Sequence, residues 1–516
     1  MTIYRSTAPE VSATEETIAQ RVFSRLERNP DKVVLTDGPS GRQITAAGLV
    51  GMSKAFAGGL TERGLAPGNV IAIMAPNIPE YPAVVYGTAW AGNTITTVNP
   101  TYTAPELQHQ LNDSGADILV TIPMFLETAI EGSKGTGVRE ILVFGEADGA
   151  TPITEYLGTP LAEQAPVDVT NDIAALPYSS GTTGLPKGVM LTHRNLVINV
   201  DQIMASFEPV EGETTVAFLP FFHIYGLEVL LNLYLSEGGA LVTMPRFDLE
   251  QFLTHAQTHR TPRLWIAPPV AIALAKHPMI DQFDLTYVRQ VNSAAAPLGG
   301  DVADAVGARL NCAVTQAYGM TELSPASHVT KPSDARNGAC GLTVASTECR
   351  LVNPETMEDV PEGEEGELWV RGPQVMKGYL NNQEATANTI TPDGWLRTGD
   401  IARIDRDGHL FITDRVKELI KYKGFQVAPA ELEALLLTMP EISDAAVIGL
   451  ADDEAGEIPM AFIVPAGDAP SLADVQALCT ANLATYKQIH RIEIVDAIPK
   501  SASGKILRRV LREQVS

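Results

Sequence analysis

Short aliphatic runs alternating with helix-length stretches constrain this chain more than any other feature. Val70–Ala75 is unbroken apolar sequence, too short for a helix and bounded by polar residues, so it reads as a strand buried on both faces. Asn77 follows as a candidate N-cap, Pro79 falls in the first turn, and a helix is expected over Glu80–Ala91, stopped by Gly92. Thr94–Val98 is the next expected strand, and Asp31–Asp37, Ile118–Ile122 and Glu140–Phe144 repeat the theme. Units of this kind connect parallel neighbours, which predicts an α/β fold with substantial parallel sheet.

The texture changes twice. After about residue 340, short strands and turns dominate, at Cys349–Val352, Gly366–Arg371, Asp393–Trp395 and Asp405–Gly408, which predicts a β-rich subdomain over about 340–414. The polar stretch Asp414-Arg415-Val416-Lys417-Glu418 marks a domain boundary at 414–417. The expected arrangement is a large N-terminal domain of layered α/β sheets over 1–414 and a small α+β domain over 415–516. The latter carries a helix with Pro429 in its first turn and Glu431 and Glu433 early. Strands near Ala445–Leu450 and Met460–Val464 and a basic tail complete it.

The balance of 62 acidic against 37 basic residues gives a net charge of −25. Such a surface repels nucleic acid, so small molecules are the expected partners, and an anionic substrate must be caught by a local basic cluster. The four cysteines form no pair at zinc-ligand spacing and are expected to be buried, reduced packing residues. No run of about 18 apolar residues occurs, and the first residues carry no basic stretch followed by an apolar one. A cytoplasmic monomer or homodimer without a membrane span is therefore expected.

Two segments more than 300 residues apart make sense together. Tyr178-Ser-Ser-Gly-Thr-Thr-Gly-Leu-Pro-Lys-Gly188 is rich in hydroxyls and glycine and ends in a lysine, the composition that wraps a polyphosphate. Pro499-Lys-Ser-Ala-Ser-Gly-Lys505 presents a lysine on a small, flexible platform, suited to neutralising charge in a transition state. The first is neither a Walker A loop, lacking Gly-Lys-Ser/Thr, nor a nucleophile elbow, lacking Gly-x-Ser-x-Gly. Together they predict activation of a substrate by a nucleoside triphosphate.

Between them lie Phe221-Phe-His-Ile-Tyr225, Gln316-Ala-Tyr-Gly-Met-Thr-Glu322, Trp395-Leu-Arg-Thr-Gly-Asp400 and Asp414-Arg415. Lys417-Glu-Leu-Ile-Lys421 and Tyr422-Lys-Gly-Phe-Gln426 follow. In this order they resemble the adenylate-forming enzymes, and most nearly the 4-coumarate–CoA ligase branch of the acyl-CoA synthetases. The resemblance spans essentially the whole chain. It implies ATP, Mg²⁺ and coenzyme A, a small C-terminal domain that rotates between two chemical steps, and a carboxylic acid converted first to acyl-AMP and then to a thioester.

The resemblance also assigns roles. Ser179, Ser180, Gly181, Thr182, Thr183, Gly184 and Lys187 would hold the phosphates. Ala295, Gln316, Ala317, Tyr318, Gly319 and Ile412 would line the nucleotide, with Tyr318 stacked on adenine. Thr321 would donate to the α-phosphate and Glu322 would hold Mg²⁺. Asp400 would accept from both ribose hydroxyls, Arg415 would contact ribose or phosphate, and Lys505 would bridge carboxylate and α-phosphate. Lys421, Lys423 and Gly424 would serve the coenzyme A step, Lys421 and Gln426 would serve the active site in one or both domain orientations, and Lys417 would be the pivot. His223 would orient the acid or assist thioester formation.

By the same resemblance, His223, Tyr225, Val229, Val291, Ala294, Gly319, Pro325 and Ala326 would line the acyl pocket. Val229, Val291 and Ala294 replace residues that are polar or glycine in the plant ligases, which makes the walls more apolar and tighter. That favours cinnamate-type acids, with Tyr225 able to meet one para-hydroxyl, over polyhydroxylated ones. A medium-chain fatty acid is the alternative substrate, and an acyl-adenylating enzyme that loads a carrier protein is the alternative activity.

Overall fold

A computed structural model describes residues 2–515 apart from 66, 180–185, 208–209, 416–417, 424, 453–454, 484–485 and 502–503. Ser180, Gly181, Thr182, Thr183, Gly184, Lys417 and Gly424 lie outside the described residues, as does the side chain of Gln426.

The expected alternation folds as an α/β architecture. Val70–Met74 pairs in parallel with Thr94–Thr97 on one side and Ile118–Thr121 on the other, and Glu140–Val143 extends the same sheet. A second sheet joins Thr214–Ala217, Ala240–Thr243 and Val33–Asp37 in parallel. A third joins Arg263–Ile266, Gln290–Ser293 and Ala313–Gln316, again in parallel. The helix after the first strand spans Tyr81–Trp90 with Glu80 at its N-cap, so Asn77 is not its cap. Instead the Asn77 side chain donates to the carbonyls of Ala217 and Leu219, both at 2.9 Å, and accepts from the Phe221 N–H at 2.8 Å.

The stretch read as β-rich forms an antiparallel sheet of Glu348–Val352, Gly366–Arg371, Leu396–Ile404 and Leu410–Arg415. Its outer edge is closed by Tyr4–Arg5, a pairing the sequence did not suggest. Beyond it, Ile442–Asp452 and Gly456–Pro465 form a long hairpin that packs against the helix Pro429–Leu436 around its own apolar core. No helix among the described residues is long and apolar enough to cross a membrane. The cysteines are free, with Cys340, Cys349 and Cys479 buried as expected and Cys312 only partly so.

Candidate active site

The hydroxyl-rich loop leaves and re-enters the fold as a hairpin. Tyr178 pairs with Gly188 and Ser179 with Lys187, so the loop's two ends are fixed side by side. The Tyr178 hydroxyl donates to Asp113 at 2.7 Å, anchoring one end to a helix. Lys187 sits with its ammonium 4.9 Å from the centre of the Tyr379 ring. Tyr379 in turn donates its hydroxyl to Glu322 Oε1 at 2.8 Å and pairs with Val189 in the neighbouring strand. Tyr379 thus joins the loop lysine to the glutamate. Sequence reasoning missed it, because a lone Gly-Tyr pair among short strands carries no local signal.

A second group forms around Asp400. Its Oδ2 accepts from the Tyr318 hydroxyl at 2.5 Å, and its Oδ1 faces Arg415 Nε at 3.0 Å. Burial and the adjoining carboxylate push the Tyr318 phenol well above its ordinary range. Tyr318 lies across the strand pair from His328, whose ring meets it edge-on at 6.1 Å. One residue on, Gly319 faces Pro325 so closely that a Cβ would come within 2.2 Å of its carbonyl oxygen, so only glycine fits. Pro325 and Ala326 are buried, and both backbone groups of Ala326 are held by the Asn199 amide.

Gln316, expected at the nucleotide, spends its amide on both backbone groups of Leu298, at 3.0 and 3.1 Å. It therefore shapes the loop that contains Ala294 and Ala295, with one of its two amide N–H groups taken by Leu298. Ala295 is exposed in the cleft with φ 75, a conformation that a side chain other than glycine's adopts only under constraint. Ala317 and Ala294 pack against the main core, and Ile412 is half-buried in the strand that ends at Arg415. Thr321 opens the short turn that also carries the buried Glu322.

Lys505 is brought to this cluster from the other end of the chain. Its loop is closed by the Ser501 N–H donating to the Lys505 carbonyl at 2.8 Å. Gly504, with φ 83, lies so close to Ala267 and Pro269 that an added Cβ would stand 3.1 and 3.3 Å from them. Burial and the Arg415 guanidinium pull the Lys505 ammonium down to about 8, against the opposing charges of Glu418, Asp400 and Glu322. Burial, with the Lys505 charge second, pushes His223 down to about 4, so it is neutral near pH 7. Its Nδ1 accepts the Tyr225 N–H at 3.2 Å, which leaves the proton on Nε2.

His223 precedes an irregular helix, Tyr225–Asn232, wound with five-residue hydrogen bonding. Tyr225 and Val229 lie on it and join the main core with Ala326. The Tyr225 hydroxyl is buried and has no hydrogen-bond partner among the described residues. Glu228, on the same helix, is buried and held protonated by desolvation, its Oε2 accepting from Asn232 at 2.6 Å. Val291 corrects an expectation. It packs into a separate core with Leu264, Ile266 and Val270. Its neighbour Asn292, pointing to the opposite face, donates to Thr315 at 3.0 Å and leaves its amide oxygen buried without a partner.

Lys421 and Lys423 do not join the cluster. Both are exposed, and their backbone N–H groups bond within the C-terminal unit, to Glu457 and to the Ala455 carbonyl. A cavity of about 380 Å³ runs alongside the Lys505 loop, walled by Phe218, Phe222, Arg246, Phe247 and Pro269. Sequence reasoning missed Arg246, an exposed cation at its mouth, because a single arginine in a loop has no pattern.

The model of the AMP-binding enzyme family matches residues 22–380, and that of the AMP-binding enzyme C-terminal domain matches 431–505. The chain is 40% identical over its whole length to 4-coumarate–CoA ligase 5 of Oryza sativa subsp. japonica, covering 97% of that protein. It is 39% identical, again over its whole length and 97% of the relative, to 4-coumarate–CoA ligase 1 of Petroselinum crispum. Among solved structures, the anthranilate CoA ligase AuaEII in complex with anthranoyl-AMP superposes with a TM-score of 0.90 at 25% identity, over 97% of each chain.

Proposed function

We propose, from the premise that this chain belongs to the AMP-binding enzyme family and is an ATP-dependent acid–CoA ligase working through an acyl-AMP, that its acid is of the cinnamate type with at most one ring hydroxyl. The observation that carries this is the Tyr225 hydroxyl, buried in the helix that follows His223 with no partner among the described residues. A buried, unsatisfied hydroxyl costs roughly 1–3 kcal/mol, which a single substrate hydroxyl would recover. The unpartnered oxygen of Asn292 supports the same reading. The aryl acids in the names of the relatives agree with it.

In the first step a carboxylate oxygen bonds to the α-phosphorus of ATP as the bond to pyrophosphate breaks. Two anions approach each other, so positive charge and fixed donors supply the catalysis. Lys505 offsets the charge of the carboxylate and α-phosphate, and Lys187 with the hydroxyl loop holds the outer phosphates. The Nε2–H of His223 donates to the acid's carboxylate. Asp400 exchanges its contacts with Tyr318 and Arg415 for the ribose hydroxyls. Among the described residues no three acidic, histidine or cysteine side chains gather to hold a metal. Glu322 would therefore be one ligand of a Mg²⁺ whose others are phosphate oxygens and water, a coordination that suits this ion; when bound, the ion neutralises phosphate charge.

In the second step the thiol sulfur bonds to the acyl carbon and the bond to AMP breaks. The cavity beside Phe222 fits a pantetheine arm, with Arg246 at its mouth for the anionic nucleotide. Lys505 lies among the charges of Asp400, Glu322 and Arg415, whereas Lys421 and Lys423 are exposed to solvent. Both serve one site only if residues 415–516 turn about a hinge at 414–417 between the steps.

The test is a competition of cinnamate, 4-coumarate, caffeate, benzoate, octanoate and palmitate at equal concentration with MgATP and CoA, read by mass spectrometry. Cinnamoyl and coumaroyl thioesters should dominate. A dominant fatty acyl product, or caffeate well ahead of cinnamate, would overturn the assignment.

A further inference from the structure

The helix Pro429–Leu436 is held at both ends by side chains from outside the C-terminal sheet. At its start, the Ala430 N–H is one of the donors that no helical bond can satisfy, and it donates to Asp414 Oδ2 at 3.1 Å. Asp414 is itself fixed by the Arg415 N–H at 2.6 Å. Just past the helix's other end, Lys276 Nζ reaches the carbonyl oxygens of Leu437 and Ile442, each at 3.4 Å. A carboxylate at the start and an ammonium at the finish match the polarity of the helix dipole. Between them, the Ala434 Cβ lies 3.6 Å from where a Cβ on Gly299 would stand.

Lys276 closes the helix Pro268–Lys276, and that helix touches the C-terminal unit twice. Pro269, near its start, is the residue against which Gly504 presses the Lys505 loop. Lys276, at its end, takes the two carbonyls. One short helix of the large domain therefore supports both the catalytic lysine's loop and the tail of the helix Pro429–Leu436.

We propose that Lys276 is a positioning residue, a latch that holds the C-terminal unit in the orientation presenting Lys505 and so sets how readily the acyl-AMP forms. The proposal rests on the two-orientation reading above. The latch is an exposed charge on two carbonyls, weak enough to open once per cycle. On the two-orientation reading its loss weakens the orientation described here, so it acts on the half-reaction completed in that orientation.

The experiment separates the half-reactions in the full-length enzyme. Pyrophosphate release from MgATP and 4-coumarate reads the first, and thioester formation from supplied coumaroyl-AMP and CoA reads the second. Lys276→Ala should slow the first about threefold and Lys276→Glu about tenfold, as expected for losing or reversing one charge at a helix end. Lys276→Arg should match the parent, and the second half-reaction should fall in none of them. Equal losses in both half-reactions, or an unaltered first one, would overturn the latch. A second measurement uses Gly299→Cys with Ala434→Cys, oxidised so that docking is covalent. In that background Lys276→Ala should have no effect on pyrophosphate release, and a persisting loss would show that Lys276 acts otherwise. Undiminished thioester turnover by the oxidised pair would instead overturn the two-orientation reading on which the latch depends.

Discussion

Lys505 is placed where its own charge is disfavoured until the substrates arrive. Its displacement to about 8 corresponds to roughly 3 kcal/mol against the protonated form in the empty site. In the proposed role the triphosphate and carboxylate would supply the opposite charge, so the lysine would interact more strongly with the reacting groups than with the empty site. Two outcomes follow. Lys505→Ala should lower acyl-AMP formation by about three orders of magnitude, the scale of removing a principal electrostatic group. Thioester formation from supplied acyl-AMP should stay near the parent rate, and parallel losses would refute the role. In the parent, kcat/KM for acyl-AMP formation should fall as pH rises through about 8, where the free enzyme loses this proton. The stability effect runs the other way. Between pH 8 and about 10.4 the unfolded chain binds the proton that the folded one releases, so Lys505's contribution to stability increases with pH over that window. What the sequence offered here was the order of motifs, which singled out Lys505, Glu322 and Asp400 through the family resemblance, and the structure sets Lys505 among the charges of Asp400 and Glu322. Tyr379 was not singled out, since a tyrosine that bridges Lys187 and Glu322 is defined only by what it touches.

Elements are where neighbouring sequence misleads, because a side chain's partner can be far along the chain. Asn77 has the position of a helix cap and yet makes its three hydrogen bonds to residues 217–221, about 140 positions away. It fixes the bend that leads into His223 and the irregular helix Tyr225–Asn232. Asn77→Ala would leave the Leu219 carbonyl and the Phe221 N–H unsatisfied in a buried place, while the Ala217 carbonyl keeps the Met244 N–H at 3.1 Å, a cost of about 2–4 kcal/mol. The variant should melt lower by thermal-shift measurement, and its KM for the acid should rise several-fold while its KM for ATP stays within about twofold. A rise in both KM values would show a general loss of structure. The strand Gln290–Ser293 carries the other lesson. Its sequence, Gln-Val-Asn-Ser, carries one apolar residue and gave no strand signal, and a one-residue difference in facing puts Val291 in one core and gives Asn292 the opposite face. The Asn292 amide oxygen is buried and has no partner among the described residues, which makes it, with Tyr225, a group that the proposed reading turns toward a ring hydroxyl. Tyr225→Phe should therefore cut kcat/KM for 4-coumarate by about tenfold while leaving cinnamate near the parent value. Equal losses on both acids would separate Tyr225 from hydroxyl recognition.

At the scale of the whole molecule, the arrangement of the two units was the part least accessible to sequence. The texture change at 414–417 marked a boundary, but nothing in the chain says that Gly504 rests on Pro269 or that Gly299 faces Ala434, since close approach leaves only two glycines and an alanine as its trace. That approach supplies a test of the whole cycle. Gly299 has φ −61 and ψ 144, so a cysteine is accepted there without backbone strain. The separation of 3.6 Å between Cβ positions falls within the range that a disulfide spans. An oxidised Gly299→Cys/Ala434→Cys pair would fix the orientation in which Lys505 meets Asp400, Glu322 and His223. If the C-terminal unit must turn to complete the reaction, the oxidised enzyme should release one equivalent of pyrophosphate at a parent-like rate and then retain acyl-AMP without passing it to CoA. Adding a thiol reductant should restore turnover, because nothing but the cross-link has been imposed. The reduced pair serves as its own control for folding and for the two substitutions. Retention of acyl-AMP that reductant does not relieve would trace the block to the substitutions rather than to a lost rotation. Continued thioester release by the oxidised form would mean that both steps are completed in the single orientation described here.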